Sequence, residues 1–257
     1  MARASRATTW AGSLACRLLP RLLQKEGGSG VKTSALDYLF AGTCIALVAA
    51  SALIIIGELV LPLSSRFLGP YHVIADALIF LLGYGLLSAL LVRSMLLLWP
   101  LRPGEYSMDH PHFAYWKFFT VIHEFGRSAL LPFTTVFAKP LVSALFGARI
   151  GRNTAFGGHM NEPPLVSIGN GAILGQDCVI TGHAITTGRI ILGEITIGEG
   201  ATVGVKAVIM PDVEIGAGSV VAACSVVSMG TKIAPGELWG GIPARKIKDV
   251  SHTDIRG

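Results

Sequence analysis

Two runs of apolar residues dominate the first hundred positions of the chain. Residues 36–63 carry two acids near their ends and no base, and residues 73–99 carry one acid near one end and Arg93 near the other. Each run exceeds the roughly 20 apolar residues that a helix needs to cross a bilayer. A helix in a soluble core keeps a polar face, which neither run has. The pattern predicts a membrane α-helical hairpin of two transmembrane helices over residues 36–100.

A different pattern begins at Ile150, where an aliphatic residue recurs at every sixth position. From residue 168 the chain reads IGNGAI, LGQDCV, ITGHAI, and from residue 197 it reads IGEGAT, VGVKAV, IMPDVE, IGAGSV. This period fits neither a helix nor a simple strand. It is typical of a parallel β-helix, in which short strands alternate with tight turns. We predict an all-β domain over residues 148–247, with the aliphatic position pointing inward and the following glycine easing the corner.

The remaining segments are assigned by their flanks and composition. Residues 101–147 are aromatic and apolar but broken by charges and prolines, which predicts interfacial helices or a linker. Residues 1–35 form a basic tail that fits either the inner membrane surface or a transit peptide. Residues 248–257 are a C-terminal tail.

Composition and charge support a membrane location. The chain is 51% hydrophobic and 14% charged with a mean hydropathy of +0.59, whereas soluble domains are about 25% charged. The net charge of +5 comes from cations beside the apolar runs, which indicates a membrane surface as partner and no nucleic acid. Basic residues flank both runs and only Arg66 lies between them. The positive-inside rule therefore predicts a multi-pass protein with both termini and the β-helix in the cytoplasm.

The six-residue rhythm breaks twice. The first break spans residues 159–166, where Glu162 stands at an aliphatic position, and the second spans residues 183–194, where Thr186 does and the register slips. Function in repeat proteins concentrates at such interruptions. The two breaks are about one coil apart, so we expect them to face the same groove.

His183 is the candidate catalytic residue. It is the fourth residue of its hexapeptide, a position that points outward. An imidazole titrates near neutral pH and suits a general base, although a solvent-exposed turn residue and a metal ligand remain alternatives. A metal site needs about three converging ligands, and His159 is the one nearby partner. The four cysteines are far apart with no CxxC pair. We therefore expect no metal, and we expect isolated thiols.

Three motifs give the repeat a family resemblance. They are VSIGNGAILGQDCVITGH, EITIGEGATVGVKAVIMPDVEIGAGSVV and GGIPARKI. Over residues 147–248 the chain resembles the hexapeptide-repeat acyltransferases typified by galactoside, maltose and xenobiotic acetyltransferases. The resemblance implies a left-handed parallel β-helix with three hexapeptides per coil. It also implies acetyl-CoA as co-substrate and a homotrimer with active sites between neighbouring subunits.

The resemblance also implies roles for individual residues. The histidine of the TGH motif is His183, the expected general base. The family's acceptor-binding positions do not align cleanly, and Asn161 and Glu162 lie nearest to them, with Glu162 expected to orient the histidine or the acceptor. The positions implied to bind the coenzyme lie in later coils and in the closing motif: Val205, Ala223, Ser228, Gly241, Pro243, Ala244, Arg245 and Lys248.

A second resemblance covers the junction with the membrane segment. The series YWKFF, LPF, LFGARIGRN, NEPPLVSIG and GQDCVITGH is similar to the membrane-bound C-terminal region of poly-lysine-synthetase-type proteins. There the repeat domain is thought to join amino acids carried as thioesters. This sequence contains no adenylation or carrier domain, so the donor is expected to be a separate acyl-CoA or carrier protein.

The sequence therefore predicts a membrane-anchored acyltransferase. It is expected to move an acyl group, by O- or N-acetyl transfer, from a CoA or carrier thioester to a hydroxyl or amine. The expected partners are a homotrimer, membrane lipid and a small-molecule or lipid-linked acceptor. A non-catalytic trimeric scaffold at a membrane is the main alternative. A γ-type carbonic anhydrase is disfavoured because its additional histidines are missing.

Overall fold

The computed structural model describes residues 35–250. The predicted N-terminal tail, apart from residue 35, and residues 251–257 of the predicted C-terminal tail lie outside the described residues.

The chain begins with a run of helical segments that follow one another without a loop. Their order is α1 (Ala35–Ile55), a π-helical turn (Ile56–Val60), α2 (Leu61–Leu68), a 3-10 turn (Gly69–Tyr71) and α3 (His72–Leu98). Most of their large apolar side chains are exposed to the surroundings. Among the described residues, Asp37–Leu98 is the one helical run long and apolar enough to cross a membrane.

This run corrects the prediction of a hairpin of two separate spanning helices. The residues between the two predicted spans are themselves helical, so one continuous run replaces two helices and a loop. Pro62 does not interrupt it, because it lies in the first turn of α2, where a backbone N–H has no helical partner anyway. Gly69 alone leaves the helical region, with φ +53°. The segments on its two sides contact each other, since Ala52 and Tyr84 share one buried cluster.

The segment predicted as interfacial helices or a linker is well structured. It contains β1 (Gly104–Ser107), α4 (Pro111–Ala129), a 3-10 turn (Leu131–Phe133) and α5 (Lys139–Leu145). Arg93 of α3 donates from Nε to Leu145 O (3.0 Å) and from Nη2 to Ala144 O (2.6 Å). These are carbonyls at the C-terminal end of α5, where a cation is favoured. The helical run is thereby joined to the start of the β-domain.

The β-domain is a stack of coils built from three parallel sheets. The first sheet contains β2 (Arg149–Ile150), β5 (Val166–Ile168), β10 (Ile195–Ile197), β13 (Glu214–Ile215) and β16 (Lys232–Ile233). The second contains β3 (Ala155–Phe156), β6 (Ile173–Leu174), β11 (Thr202–Val203), β14 (Val220–Val221) and β17 (Glu237–Gly241). The third contains β4 (His159–Met160), β7 (Val179–Ile180), β12 (Val208–Ile209) and β15 (Val226–Val227). The last strand, β18 (Ala244–Asp249), pairs antiparallel with β17.

The inward positions form three apolar columns along the stack. The first column is isoleucine in every coil: Ile150, Ile168, Ile197, Ile215 and Ile233. Successive members are 18 residues apart, as three hexapeptides per coil require. The exception is the step from Ile168 to Ile197, which is 29 residues and so contains 11 more. The prediction of a parallel β-helix is confirmed, and its left-handedness stays a prediction.

The glycine after the inward residue has a different purpose from the one expected. Gly204 follows Val203 and does not have a positive φ. A Cβ at this position would instead collide with the backbone nitrogen of Ala223 in the next coil. Glycine is needed here because adjacent coils approach closely.

Candidate active site

The 11 extra residues form a hairpin at one corner of the stack. β8 (His183–Thr186) and β9 (Arg189–Leu192) pair antiparallel, and β1 pairs with the other edge of β9. His183, Leu192 and Gly104 lie opposite one another across this small sheet. The loop expected to be short is therefore a three-stranded sheet anchored by the segment that precedes α4.

The first break in the rhythm supplies a buried carboxylate at the same corner. Met160, rather than Glu162, takes the inward position and pairs with Ile180 of the next coil. Glu162 lies two residues further on, followed by a 3-10 turn at Pro163–Leu165. Its exposed fraction is 0%. A shortened first coil thus moves the glutamate out of the apolar column and onto the corner.

Three donors satisfy the carboxylate of Glu162. Oε1 accepts from Trp116 Nε1 of α4 at 3.0 Å and lies 2.7 Å from His183 Nδ1. Oε2 accepts from the backbone N–H of Gly182 at 2.9 Å. Burying a charge is costly unless it is hydrogen-bonded, and each of these donors comes from a different segment. The glutamate therefore joins α4 to the two coils that contain the breaks.

The bond to Glu162 sets the tautomer of His183. Since a carboxylate only accepts, Nδ1 is assigned the proton, and Nε2 is left unprotonated. Nε2 makes no hydrogen bond to any residue that the structure describes. The His183 side chain is 23% exposed, and its ring lies 4.9 Å from the Trp116 ring, centroid to centroid. One nitrogen is thus fixed inside the protein while the partly exposed ring keeps the other available.

This arrangement suits proton transfer. A histidine that donates from one nitrogen to a buried carboxylate accepts a proton on the other nitrogen, because the developing imidazolium lies beside a negative charge. Thr181 Oγ1 adds a contact of 3.2 Å to His183 Nδ1 and donates to the backbone oxygen of His183 at 3.0 Å. The histidine is therefore held by its side chain and by its backbone.

Three of the residues predicted to bind the coenzyme lie along a different corner of the stack. Val205 and Ala223 occupy successive coils after the second column, and both are exposed. Cys224 N donates to Val205 O at 2.8 Å, which joins the two coils there. Gly241 continues this corner, since its N–H donates to Ser225 Oγ at 3.1 Å.

The other predicted residues are more dispersed. Ser228 follows the third column, on the same side of the stack as the two breaks. Asn161 precedes Glu162 and donates its backbone N–H to Ile180 O at 3.1 Å. Pro243 is exposed after a cis peptide bond. Arg245 and Lys248 lie on β18 with exposed side chains, so no described contact brings them to His183.

Sequence reasoning missed the residues that hold the histidine. Trp116 belongs to an aromatic segment that was predicted to lie at the membrane interface, and no spacing relates it to Glu162. Thr181 and Gly182 belong to the TGH motif, of which only the histidine was assigned a role. The signal that was available was the motif itself, because its first two residues contact the carboxylate or the imidazole.

Metal ligation and thiol chemistry have little support at this site. Within residues 35–250, no group of three His, Cys, Asp or Glu side chains is placed to hold a metal ion. Cys178 is buried among the coils, and burial raises the pKa of its thiol to about 11. A thiol in that state is a poor nucleophile near neutral pH.

Comparison with known proteins identifies the repeat. The family model described as bacterial transferase hexapeptide (six repeats) matches residues 194–228. The predicted hexapeptide repeat is confirmed by this match. No curated protein matches the chain.

Several solved structures are similar to part of the chain. A hexapeptide-repeat acetyltransferase from Vibrio cholerae O1 biovar eltor, complexed with acetyl coenzyme A, is 29% identical with a TM-score of 0.38. The alignment covers 41% of this chain and 61% of that one. A galactoside acetyltransferase in complex with coenzyme A is 20% identical with a TM-score of 0.41, covering 48% of this chain and 76% of that one. A maltose O-acetyltransferase from Clostridium difficile 630 is 17% identical with a TM-score of 0.39, covering 59% and 95%.

Proposed function

We propose that this protein is a membrane-attached acyltransferase with His183 as its general base. The single observation that carries the proposal is the hydrogen bond between the buried Glu162 carboxylate and His183 Nδ1, which leaves Nε2 to accept a proton. The match of residues 194–228 to a transferase repeat family supports the same class of reaction. The donor is acetyl-CoA or another acyl thioester, as the sequence resemblance implies.

The proposed reaction is a single acyl transfer. His183 Nε2 takes the proton from an acceptor hydroxyl or amine as its oxygen or nitrogen attacks the thioester carbonyl carbon. The tetrahedral intermediate then collapses, the C–S bond breaks, and the proton passes from His183 to the departing thiolate. Glu162 keeps the imidazole in one orientation and stabilises the imidazolium between these two proton transfers. The products are the acylated acceptor and a free thiol.

Membrane attachment suggests an acceptor that is itself held in the membrane. The Asp37–Leu98 run is apolar and mostly exposed, and α3 packs against α4, which supplies Trp116 to the site. The site is therefore built partly from the segment that adjoins the membrane. Basic residues flank both ends of the run while Arg66 alone lies within it. This distribution supports a cytoplasmic position for the β-helix.

A homotrimer is part of the proposal. Glu162, His183 and Ser228 share one corner of the stack, whereas Val205, Ala223 and Gly241 share another. A thioester bound along the second corner of one subunit reaches the histidine of a neighbour if subunits associate through the third sheet. Sedimentation of the detergent-solubilised full chain tests this, and a monomer that is fully active would contradict it.

The direct test is His183→Ala in the purified full chain. Thiol release from acetyl-CoA is followed with a hydroxyl or amine acceptor, and the rate is expected to fall by about 10²-fold or more, the contribution typical of a general base. Lys232→Gln is the matched surface control, because Lys232 is exposed and pairs with Glu214 far along the stack. Unchanged activity of His183→Ala would refute the catalytic role and favour the scaffold.

A further inference from the structure

A second cavity lies on the other side of α4 from any residue assigned above to catalysis. It has a volume of about 70 Å³ and lies between the C-terminal half of α4, α5 and the first coil. Since one water needs about 10–15 Å³ by this measure, the cavity has room for about five water-sized groups. A phosphate group with its four oxygens is of this size.

The polar lining of the cavity consists of donors. Arg127, Lys139 and His159 contribute nitrogen atoms, and no Asp or Glu is among the described residues that line it. Lys139 Nζ donates to Gly157 O at 2.8 Å, and no described carboxylate forms a salt bridge with it. Arg127 Nη2 binds Glu124 Oε2 at 2.6 Å, which leaves several of its five N–H groups for other partners. The lining therefore favours an anion.

His123 is the least explained group in this lining. Its side chain is 1% exposed, and Nδ1 has no hydrogen-bond partner. The nearest carboxylate oxygen, Glu124 Oε1, is 3.6 Å away. A buried polar atom without a partner is costly, and unpaired ones in native proteins often mark a place where another group binds. His123 lines the cavity, so a ligand there would lie beside it.

The surface around the cavity is apolar and exposed. Leu131 lines the cavity and is 52% exposed, and the neighbouring Phe133 and Phe137 are exposed too. Leu141 on α5 continues this surface. Apolar side chains that surround a donor-lined cavity match a molecule with an anionic head and apolar chains. This surface follows the helical run that we place at the membrane.

We propose that this cavity binds the phosphate group of a membrane lipid. Lys139 and Arg127 neutralise the phosphate, His123 donates to it from Nδ1, and the exposed side chains of the 131–141 segment contact the acyl chains. The cavity also adjoins the catalytic corner, since His159 and Met160 in its lining precede Glu162 by three and two residues. A bound lipid would thus tether the first coil to the membrane surface independently of catalysis.

The test is lipid binding to the full chain in a neutral detergent. Dihexanoyl phosphatidic acid is titrated by calorimetry, with dihexanoylglycerol as the uncharged counterpart. We expect saturable binding of the phosphatidic acid and at least tenfold weaker binding of the diacylglycerol. Lys139→Gln is expected to weaken the affinity about tenfold or more, because a charge-assisted hydrogen bond is lost.

His123→Phe is the second variant, and it separates binding from folding. Phenylalanine keeps the ring contacts with Phe119 and Phe146 and removes the unpaired nitrogen. The variant should fold at least as stably as the original while binding the phosphatidic acid several-fold more weakly. Lys232→Gln, which removes the same charge elsewhere, should bind normally.

Three results would overturn the proposal. They are equal binding of the lipid and its uncharged counterpart, an equal loss of affinity in Lys139→Gln and Lys232→Gln, and normal binding by both cavity variants. Inorganic phosphate is the remaining arm. If it displaces the lipid at equal concentration, the phosphate does not come from a lipid, whereas weak competition supports the lipid as its source.

Discussion

The coils of the β-helix and the corner that holds His183 are built from different kinds of contact. Within the coils, each buried side chain meets a chemically similar one in the next coil, and 18 residues separate them. At the corner, the Glu162 carboxylate meets side chains and backbone from residues 116, 182 and 183. The coils are stabilised by many interchangeable apolar contacts, while the corner depends on three hydrogen bonds that no other residue repeats.

This difference predicts that stability and activity are separable. Loss of an apolar side chain from a column creates a cavity in a close-packed core. Loss of a donor or acceptor at the corner changes the protonation and orientation of one imidazole. Variants of the coils should therefore change the free energy of unfolding, and variants of the corner should change the rate of acyl transfer.

Glu162→Gln is expected to have the largest effect. The amide presents a donor where the carboxylate accepted, so it favours the wrong His183 tautomer, and the rate of acyl transfer should fall by about 10²–10⁴-fold. Steady-state rates across pH check this, because loss of the charge also lowers the pKa of His183 and moves the acid limb of the profile to lower pH. An unchanged rate would show that the carboxylate has no part in proton transfer.

Ile209→Ala is the corresponding change in the coils. Ile209 is fully buried in the third column, and its truncation should cost about 2–5 kcal/mol of unfolding free energy. Thermal unfolding followed by circular dichroism measures the loss, with the exposed Thr196→Ala of β10 as control. The residual folded protein should retain its rate per active site. A large fall in that rate would break the distinction between coil and corner.

Stability should decrease in mild acid because of His123. Burial lowers the pKa of His123 to about 4, whereas an unfolded histidine titrates near 6.5. The unfolded chain then binds a proton that the folded one refuses. Stability is full above about pH 6.5 and should fall by about 3 kcal/mol as the pH decreases to about 4. His123→Phe should flatten this part of the stability profile, and an equally steep profile in the variant would assign the effect to another group.

Trp116→Phe is expected to have the smallest effect of the four. It removes one donor from Glu162 Oε1 and leaves the bonds from Gly182 and His183 in place. The loss of a hydrogen bond to a charged group costs about 1.5–3 kcal/mol, of which a part should reach the transition state as a rate lower by about tenfold. The acid limb of the pH profile should move to higher pH, because the less stabilised carboxylate raises the pKa of His183. A profile that does not move would limit Trp116 to packing.

Much of the β-domain follows from the sequence because its contacts are periodic. Ile168, Ile197 and Ile215 were recognisable as inward positions from local spacing, and the structure places them in one column. The breaks at residues 159–166 and 183–194 were visible for the same reason. The continuity of the helical run was not visible, because Pro62 and Gly69 read as a loop although both are accommodated within or between helical turns.

The corner was predicted only in outline. His183 and Glu162 were candidates because each interrupts the rhythm, but the rhythm also assigned Glu162 to the inward column that Met160 occupies. Two residues fewer between the second and third strands of the first coil account for this shift. The pairing of β1 with β9 had no signal, because a four-residue edge strand is recognised only when its partner is known.

The sequence by itself determined the repeat, its inward columns, its two interruptions and the apolar run that precedes it, since each is a regularity among neighbouring residues. Only the tertiary structure decided that Trp116 and Gly182 donate to one carboxylate, that this carboxylate binds His183, and that His123 faces a cavity without a partner. These are meetings of single residues from distant segments. Local spacing carries no record of them, because a hydrogen bond depends on where the backbone brings two atoms and not on how many residues lie between them.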